Sequence, residues 1–352
     1  MGSLRVEDLK PGMRPAQDYR IGDQVVFPKG VPLTADQVAW LQDLLRKQER
    51  AAARSSGQLT DYRKNIVESE EFVQFEENYQ ASIDKTRVSF NQVLEADGDI
   101  DKEHILEGVN ECLEDCGGVF GSMIMMLQNL EGLDDSTYAH CVNVSLLSAM
   151  LGEKLNLKKE EIKILSLGGL LHDIGKLKMP EQIVQKPEYF HEKESASIKK
   201  HPMEGYKLLS KKGLPEDVLM CVLQHHERCD GSGYPYGVKR DQINKYARIV
   251  AIADIFEALT SNRVYREAMT PFEAMRILEE ERYEKYEMEY LLTFLEYTAE
   301  VYVGMDVRLS NGKTGKIVMA NRQALSRPLI QTKNGFIDLS KEPEDLVITE
   351  IL

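Results

Sequence analysis

The sequence predicts a mainly α-helical chain with a small β-containing module at each end. Three observations predict it. Apolar residues recur at helical spacing from about Ile66 to Tyr297, charged helix formers fill the positions between them, and after Val303-Gly304 paired turn residues cut the chain into short β-like runs.

The elements follow in order. Gly22-Asp23 and Pro28-Lys29-Gly30 flank Val25-Val26-Phe27, which predicts a short strand between two turns. Thr34 is placed to cap a short amphipathic helix carrying Val38, Leu41 and Leu45 on one face. The polar stretch from Arg46 to Leu59, with Ser55-Ser56-Gly57, reads as a linker, so residues 1–57 make a small α/β module with its linker. Residues 58–133 predict a helical connector with apolar positions such as Ile66, Phe72 and Phe75, suited to a stalk or a dimer contact. Residues 134–300 form the main domain and hold six of the seven histidines. Residues 301–352 predict a small β module whose runs are separated by Asn311-Gly312, Thr314-Gly315 and Asn334-Gly335.

Composition narrows the function classes. An apolar fraction of 42% and a charged fraction of 29% fit a globular chain with a sizeable core. The net charge of -14 argues against a nucleic-acid polymer as partner, because that grip needs a basic surface that releases counterions. A small anionic substrate would instead need a local positive patch from metal and a few basic side chains. The five cysteines, Cys112, Cys116, Cys141, Cys221 and Cys229, are odd in number in a long chain without a secretory leader, which predicts free thiols and a cytoplasmic location. The longest apolar stretches, Ile162 to Leu171 and Ile249 to Leu259, fall short of the roughly 20 residues a bilayer span needs, so no membrane partner is expected.

The chemistry-bearing residues lie between His140 and Asp254. His140 shares a helix face with Val144, Leu147 and Leu151; taken singly, it reads as a hydrogen-bonded core histidine sooner than as a ligand. His172-Asp173 ends an apolar helix that Gly175 is expected to stop. An aspartate there faces the negative end of the helix dipole unless a cation is near, and a solvated loop Asp is the alternative. His201-Pro202 reads as a helix start. His225-His226 closes another apolar stretch and leads into a loop rich in turn residues. Asp254 shares a face with Ala247, Val250, Ala251 and Ala258, where a buried carboxylate must find a metal or a basic partner. Imidazole and carboxylate donors suit iron, manganese, zinc or nickel better than calcium. Lys176 is placed to neutralise a phosphate oxygen, and Arg263 and Arg266 to hold phosphate or a guanine edge, although each also reads as a solvated charge. His104 and His191 sit in polar surroundings and read as surface side chains.

In this order His140, His172-Asp173-Ile174-Gly175-Lys176, His201-Pro202, His225-His226-Glu227 with Asp230-Gly231 and Gly233-Tyr234-Pro235, and Asp254 resemble the HD-GYP branch of the HD-superfamily metal-dependent phosphodiesterases. The resemblance covers about Asp134 to Tyr297 and implies an all-helical HD-type core. It implies hydrolysis of cyclic di-GMP to linear pGpG, and in some members onward to GMP, with two divalent ions, iron or manganese. By the same resemblance His140, His172, Asp173 and Asp254 would hold one ion, and Asp173 would bridge to a second held by His201, His225 and His226. Asp173 and Lys176 would be catalytic, and Lys176, Gly233, Tyr234, Pro235, Arg263 and Arg266 would meet substrate. Some members hold a third ion through a glutamate one turn before the first histidine; Ser136 stands there, which favours two ions and puts complete conversion to GMP in doubt. The segment Asp8-Leu9-Lys10-Pro11-Gly12-Met13 is similar to a small module found ahead of such domains. Two other readings stay open: another cyclic dinucleotide such as cyclic GMP-AMP as substrate, or a non-catalytic sensor. A homodimer through the connector is the expected assembly.

Overall fold

The computed structural model describes residues 10, 12–14, 19–21, 24–27, 29–34, 38, 66, 68–95, 98–130, 137–179, 197–262, 268–280 and 284–352. They divide into two units, one of residues 1–60 with 262–268 and one of 61–261 with 269–352.

In the first unit, β1 (Tyr19–Ile21) pairs antiparallel with β2 (Gln24–Phe27), which contains the expected strand. Val38 N donates to Thr34 O (3.0 Å) and Val38 is buried, as the expected helix start requires; Leu41, Leu45 and the linker lie outside the described residues.

The second unit begins with α1 (Glu70–Leu94), α2 (Lys102–Asp115) and α3 (Phe120–Asn129). Ser69 Oγ accepts from Phe72 N (3.1 Å), and Glu70 and Glu71 fill the first turn of α1, where acidic groups complement the helix dipole. Asp101 caps α2 in the same way through His104 N (3.1 Å). Phe72, Phe75, Tyr79, Ile83 and Phe90 recur at helical spacing on α1 and are buried. They pack within this unit, against α2 and the helices that follow, rather than projecting as a stalk.

The core of this unit is built from α4 (Thr137–Lys154), α5 (Lys159–Leu171), a short 3-10 turn (Ile174–Lys178), α6 (His201–Leu209), α7 (Glu216–Gln224) and α8 (Lys245–Thr260). The α4 helix meets α1, α2, α3, α5 and α8, which explains why its residues are buried on nearly every side from Ala139 to Gly152. Each large apolar side chain buried there contributes about 1.5–3 kcal/mol. The α5 helix lies very close to two neighbours. A Cβ on Gly169 would stand 2.6 Å from Ser145 Cα of α4, and one on Gly168 2.8 Å from Cys221 Sγ of α7. Absent side chains therefore let α5 approach both neighbours; His140 lies within α4, and His172 and His225 follow the last residues of α5 and α7.

Two further helices, α9 (Pro271–Glu280) and α10 (Met288–Val301), complete the helical part. A five-stranded antiparallel sheet follows in the order β6-β5-β4-β3-β7, from β3 (Asp306–Leu309), β4 (Thr314–Met319), β5 (Leu329–Thr332), β6 (Gly335–Asp338) and β7 (Ile348–Ile351). Gly312 at φ 78° and Gly335 at φ 120° make the expected turns at Asn311-Gly312 and Asn334-Gly335. Thr314-Gly315 is not a turn. Gly315 lies inside β4, where a Cβ would stand 2.5 Å from Gln331 O of the neighbouring strand. Val307, Leu309, Ile317, Ile330 and Ile348 bury one side of the sheet.

Candidate metal centre

Each ligand candidate stands near the end of a helix or on a buried face. His140 projects from α4, His172 follows the last residue of α5, and Asp173 precedes the 3-10 turn. His201 opens α6 with Pro202 in its first turn, as expected. His225 and His226 follow α7, and Asp254 lies on α8. The expected role of Gly175 as a helix stop is corrected. It sits within the 3-10 turn, and a Cβ there would stand 2.0 Å from His201 O and 2.6 Å from Gly205 N, so its smallness lets Asp173 and His201 come together.

All seven candidates converge. His140, His172 and Asp254 form one group, and Asp173, His201, His225 and His226 a second, with the donor atoms of each group within 4.8 Å of one another. Asp173 faces both groups. Its Oδ2 lies 3.4 Å from His140 Nε2 and 3.5 Å from His172 Nε2, while its Oδ1 lies 3.1 Å from His201 Nε2 and 3.9 Å from His225 Nε2. Asp254 lies between histidines of the two groups, with Oδ1 3.2 Å from His140 Nε2 and Oδ2 3.8 Å from His226 Nδ1.

The donor chemistry fits a metal. His172 Nδ1 donates to Gly169 O (2.7 Å), His201 Nδ1 to Ile198 O (2.7 Å) and His225 Nδ1 to Val222 O (2.9 Å). A neutral ring that donates through Nδ1 carries only a lone pair on Nε2. Yet His201 Nε2 lies 3.1 Å from His225 Nε2, and His140 Nε2 lies 3.2 Å from His172 Nε2. Such facing lone pairs repel unless a cation or proton lies between them. Both oxygens of Asp173 are buried without a well-formed hydrogen bond, and beyond the Lys176 ammonium beside Oδ2 a cation would satisfy their remaining lone pairs.

Charge follows the same pattern. Burial opposes ionisation of Asp173, but the Lys176 ammonium, with Nζ 2.5 Å from Oδ2, and His172 hold its carboxyl well below the usual range. Burial likewise opposes the charge on Asp254, and the His140 hydrogen bond and the charge of His172 hold it low. Burial and the neighbouring imidazoles push His225 and His226 well below the usual imidazole range, keeping both neutral as ligation requires. Burial would lower His172 too, but Asp173 outweighs it and holds that ring well above its usual range.

The loop after α7 braces this centre. The Tyr234 ring lies against His226 at 4.5 Å and edge-on to His201 at 6.4 Å, and Lys199 Nζ stands 5.6 Å above the tyrosine. A Cβ on Gly233 would stand 2.4 Å from His226 O, so the chain can fold back on the histidines only with glycine there. Pro235 is half-buried in the same turn. Arg263 and Arg266 lie outside the described residues, as do Ser136 and His191. His104 lies on the surface of α2 beside Glu107.

In the sequence Glu227 has a place in the motif but no role, and sequence reading passes over Glu257 and Asn143. Glu227, buried, accepts from Tyr236 N (2.7 Å) and Val238 N (3.1 Å) and fastens the loop. Glu257 and Asn143 pack behind His140, with Glu257 Oε2 2.5 Å from its Nδ1. The available signal for Glu257 was its place three residues after Asp254, on the same side of α8.

The family model for the HD domain matches residues 123–290. A cyclic di-GMP phosphodiesterase of Pseudomonas aeruginosa is 32% identical over 209 residues, 59% of this chain and 50% of the relative. A cyclic di-GMP phosphodiesterase response regulator of Xanthomonas campestris is 39% identical over 155 residues, 44% and 41% of the two chains. A 3'3'-cGAMP-specific phosphodiesterase of Vibrio cholerae is 39% identical over 161 residues, 46% and 37% of the two. The chain thus spans half or less of the length of these relatives. Among solved structures, a protein of Bdellovibrio bacteriovorus described as HDG"Y"P shares the fold, with a TM-score of 0.55 at 19% identity over 83% of this chain and 97% of that one.

Proposed function

We propose, on the premise that this chain carries an HD-superfamily domain of the HD-GYP type, that it hydrolyses a phosphodiester bond of a cyclic dinucleotide, cyclic di-GMP first. The observation that supports this most is the meeting of seven imidazole and carboxylate donors in two groups that share Asp173. His140, His172 and Asp254 would hold one divalent ion, His201, His225 and His226 a second, and Asp173 reaches both. The chemistry that such a pair supplies when bound is an acidified water and charge neutralisation on the phosphate. Iron or manganese suits these donors.

The chain's own groups do the rest. Lys176 keeps Asp173 ionised and sets a positive charge where a phosphate oxygen would lie. Tyr234 braces His226, and Gly233 with Pro235 shapes the loop over the centre. Arg263 and Arg266 are proposed as phosphate or guanine contacts. Linear pGpG is the expected product, since Ser136 stands where a third ion's glutamate would be. A second reading, cyclic GMP-AMP as substrate, is favoured by the 39% identity to a phosphodiesterase named for it. No helix of the described residues is long and apolar enough to cross a membrane, in keeping with a proposed cytoplasmic role, with a homodimer through residues 58–133 as the proposed assembly.

The test is turnover by anaerobically purified protein of known metal content, supplied in parallel with cyclic di-GMP and 3'3'-cyclic GMP-AMP, with products identified. Conversion of cyclic di-GMP to pGpG is expected. Binding of either dinucleotide without turnover by the metal-loaded protein would mark a sensor instead.

A further inference from the structure

Four of the histidine contacts behind the centre differ in kind. His172, His201 and His225 each rest Nδ1 on a backbone carbonyl of their own segment, which no side-chain change alters. His140 alone of these four rests Nδ1 on a charged side chain, Glu257 Oε2 at 2.5 Å. The same helix holds the other side of the ring, because Asp254 Oδ1 lies 3.2 Å from His140 Nε2. Two residues of α8, Asp254 and Glu257, therefore clamp one imidazole from front and back. Glu257 is itself fixed: its Oε1 accepts from Asn143 Nδ2 (3.0 Å) and Ser261 Oγ (2.8 Å), and Tyr79 of α1 donates to Asn143 Oδ1 (2.6 Å). Tyr79, His140 and Glu257 are each at most 4% exposed, so these bonds form away from water, where they are stronger.

We propose that Glu257 is a positioning residue of the metal centre: its carboxylate accepts the Nδ1–H of His140, turns Nε2 toward Asp254 and Asp173, and is aligned by a Tyr79-Asn143 relay from α1. This rests on the reading that His140, His172 and Asp254 hold an ion. An ionised carboxylate accepts but cannot donate, so it selects one tautomer and strengthens the ring as a donor; losing such a partner costs about 10–100-fold in metal affinity. A glutamine at 257 keeps the volume, but its neutral oxygen cannot serve His140 with the same strength.

The experiment titrates Mn2+ into the full metal-free chain against a competing chelator, for wild type, Glu257→Gln and Tyr79→Phe, with melting in EDTA recorded for each. Glu257→Gln is expected to weaken one of two bound ions about 10–100-fold and leave the other unchanged. Tyr79→Phe is expected to weaken the same ion about two- to tenfold, as the loss of one hydrogen bond would. A structural role alone would lower the EDTA melting temperature and leave both affinities of the folded protein intact, which overturns the proposal, as does equal weakening of both ions. Should Glu257→Gln not fold, the Tyr79→Phe titration decides on the same criteria. A wild-type chain that binds no Mn2+ would instead remove the metal-centre reading itself.

Discussion

Asp173 is the residue on which the two groups of donors depend, since its separate oxygens face His140 and His172 on one side and His201 and His225 on the other. Its position just beyond α5 would be costly without a cation, because burial penalises the charge and the helix end adds to the penalty. We expect Asp173→Ala to lose both ions and at least about 100-fold in rate, and His172→Ala to lose chiefly one ion with a comparable loss in rate. Elemental analysis alongside turnover checks both, and full metal retention by either variant would end the ligand assignment. Lys176 acts through the same carboxylate rather than as a free surface charge.

Elements deliver these residues by close backbone contact. The α5 helix approaches α4 and α7 across Gly169 and Gly168, and the 3-10 turn approaches α6 across Gly175. Because the atoms facing Gly175 are backbone, a methyl group there cannot be absorbed by a side-chain rotation. Gly175→Ala is expected to cost about 1–3 kcal/mol or more in stability and to separate Asp173 from His201. Denaturant unfolding measures the first and Mn2+ affinity the second; wild-type values for both would show that the contact is looser than its geometry. The loop after α7 is held by hydrogen bonds as well as by packing on the histidines, with Glu227 accepting from Tyr236 N and Val238 N, and Arg228 Nη1 donating to His225 O (3.0 Å).

Across the whole molecule, ion pairs tie separate helices together and set a pH dependence. Glu161 of α5 is bonded by Lys245 of α8, then by Lys158 N, and its carboxyl falls from 4.5 to about 2. Glu287, before α10, is bonded by Arg240 and further held by the charge of Arg248, and it too is lowered. A carboxyl lowered in the folded state stabilises fully above its unfolded value and loses that contribution as pH falls through the folded one. Stability of the metal-free protein should therefore fall as pH drops from 4.5 toward about 2. Urea midpoints across that window check this, and Glu287→Gln should flatten the slope. An identical slope in the variant would remove Glu287 from the account.

By itself the sequence determined the helical class and the β module at the end, and it marked the donor candidates, for a physical reason. Histidine and aspartate are costly inside apolar helices, so His140 beside Val144 and Leu147, or Asp254 among alanines, stands out locally. Turn chemistry did the same for Asn311-Gly312 and Asn334-Gly335. What only the tertiary structure decided are relations across the chain. Glu257 reads as one more helical acid until α8 is laid against α4, 117 residues away, where it meets His140 Nδ1. Gly175 reads as a helix stop until α6 arrives beside it, and Gly315 as a turn until β5 pairs with β4. The sorting of seven donors into two groups sharing one carboxylate is of this kind as well, because distance between side chains is set by packing and local sequence carries no measure of it.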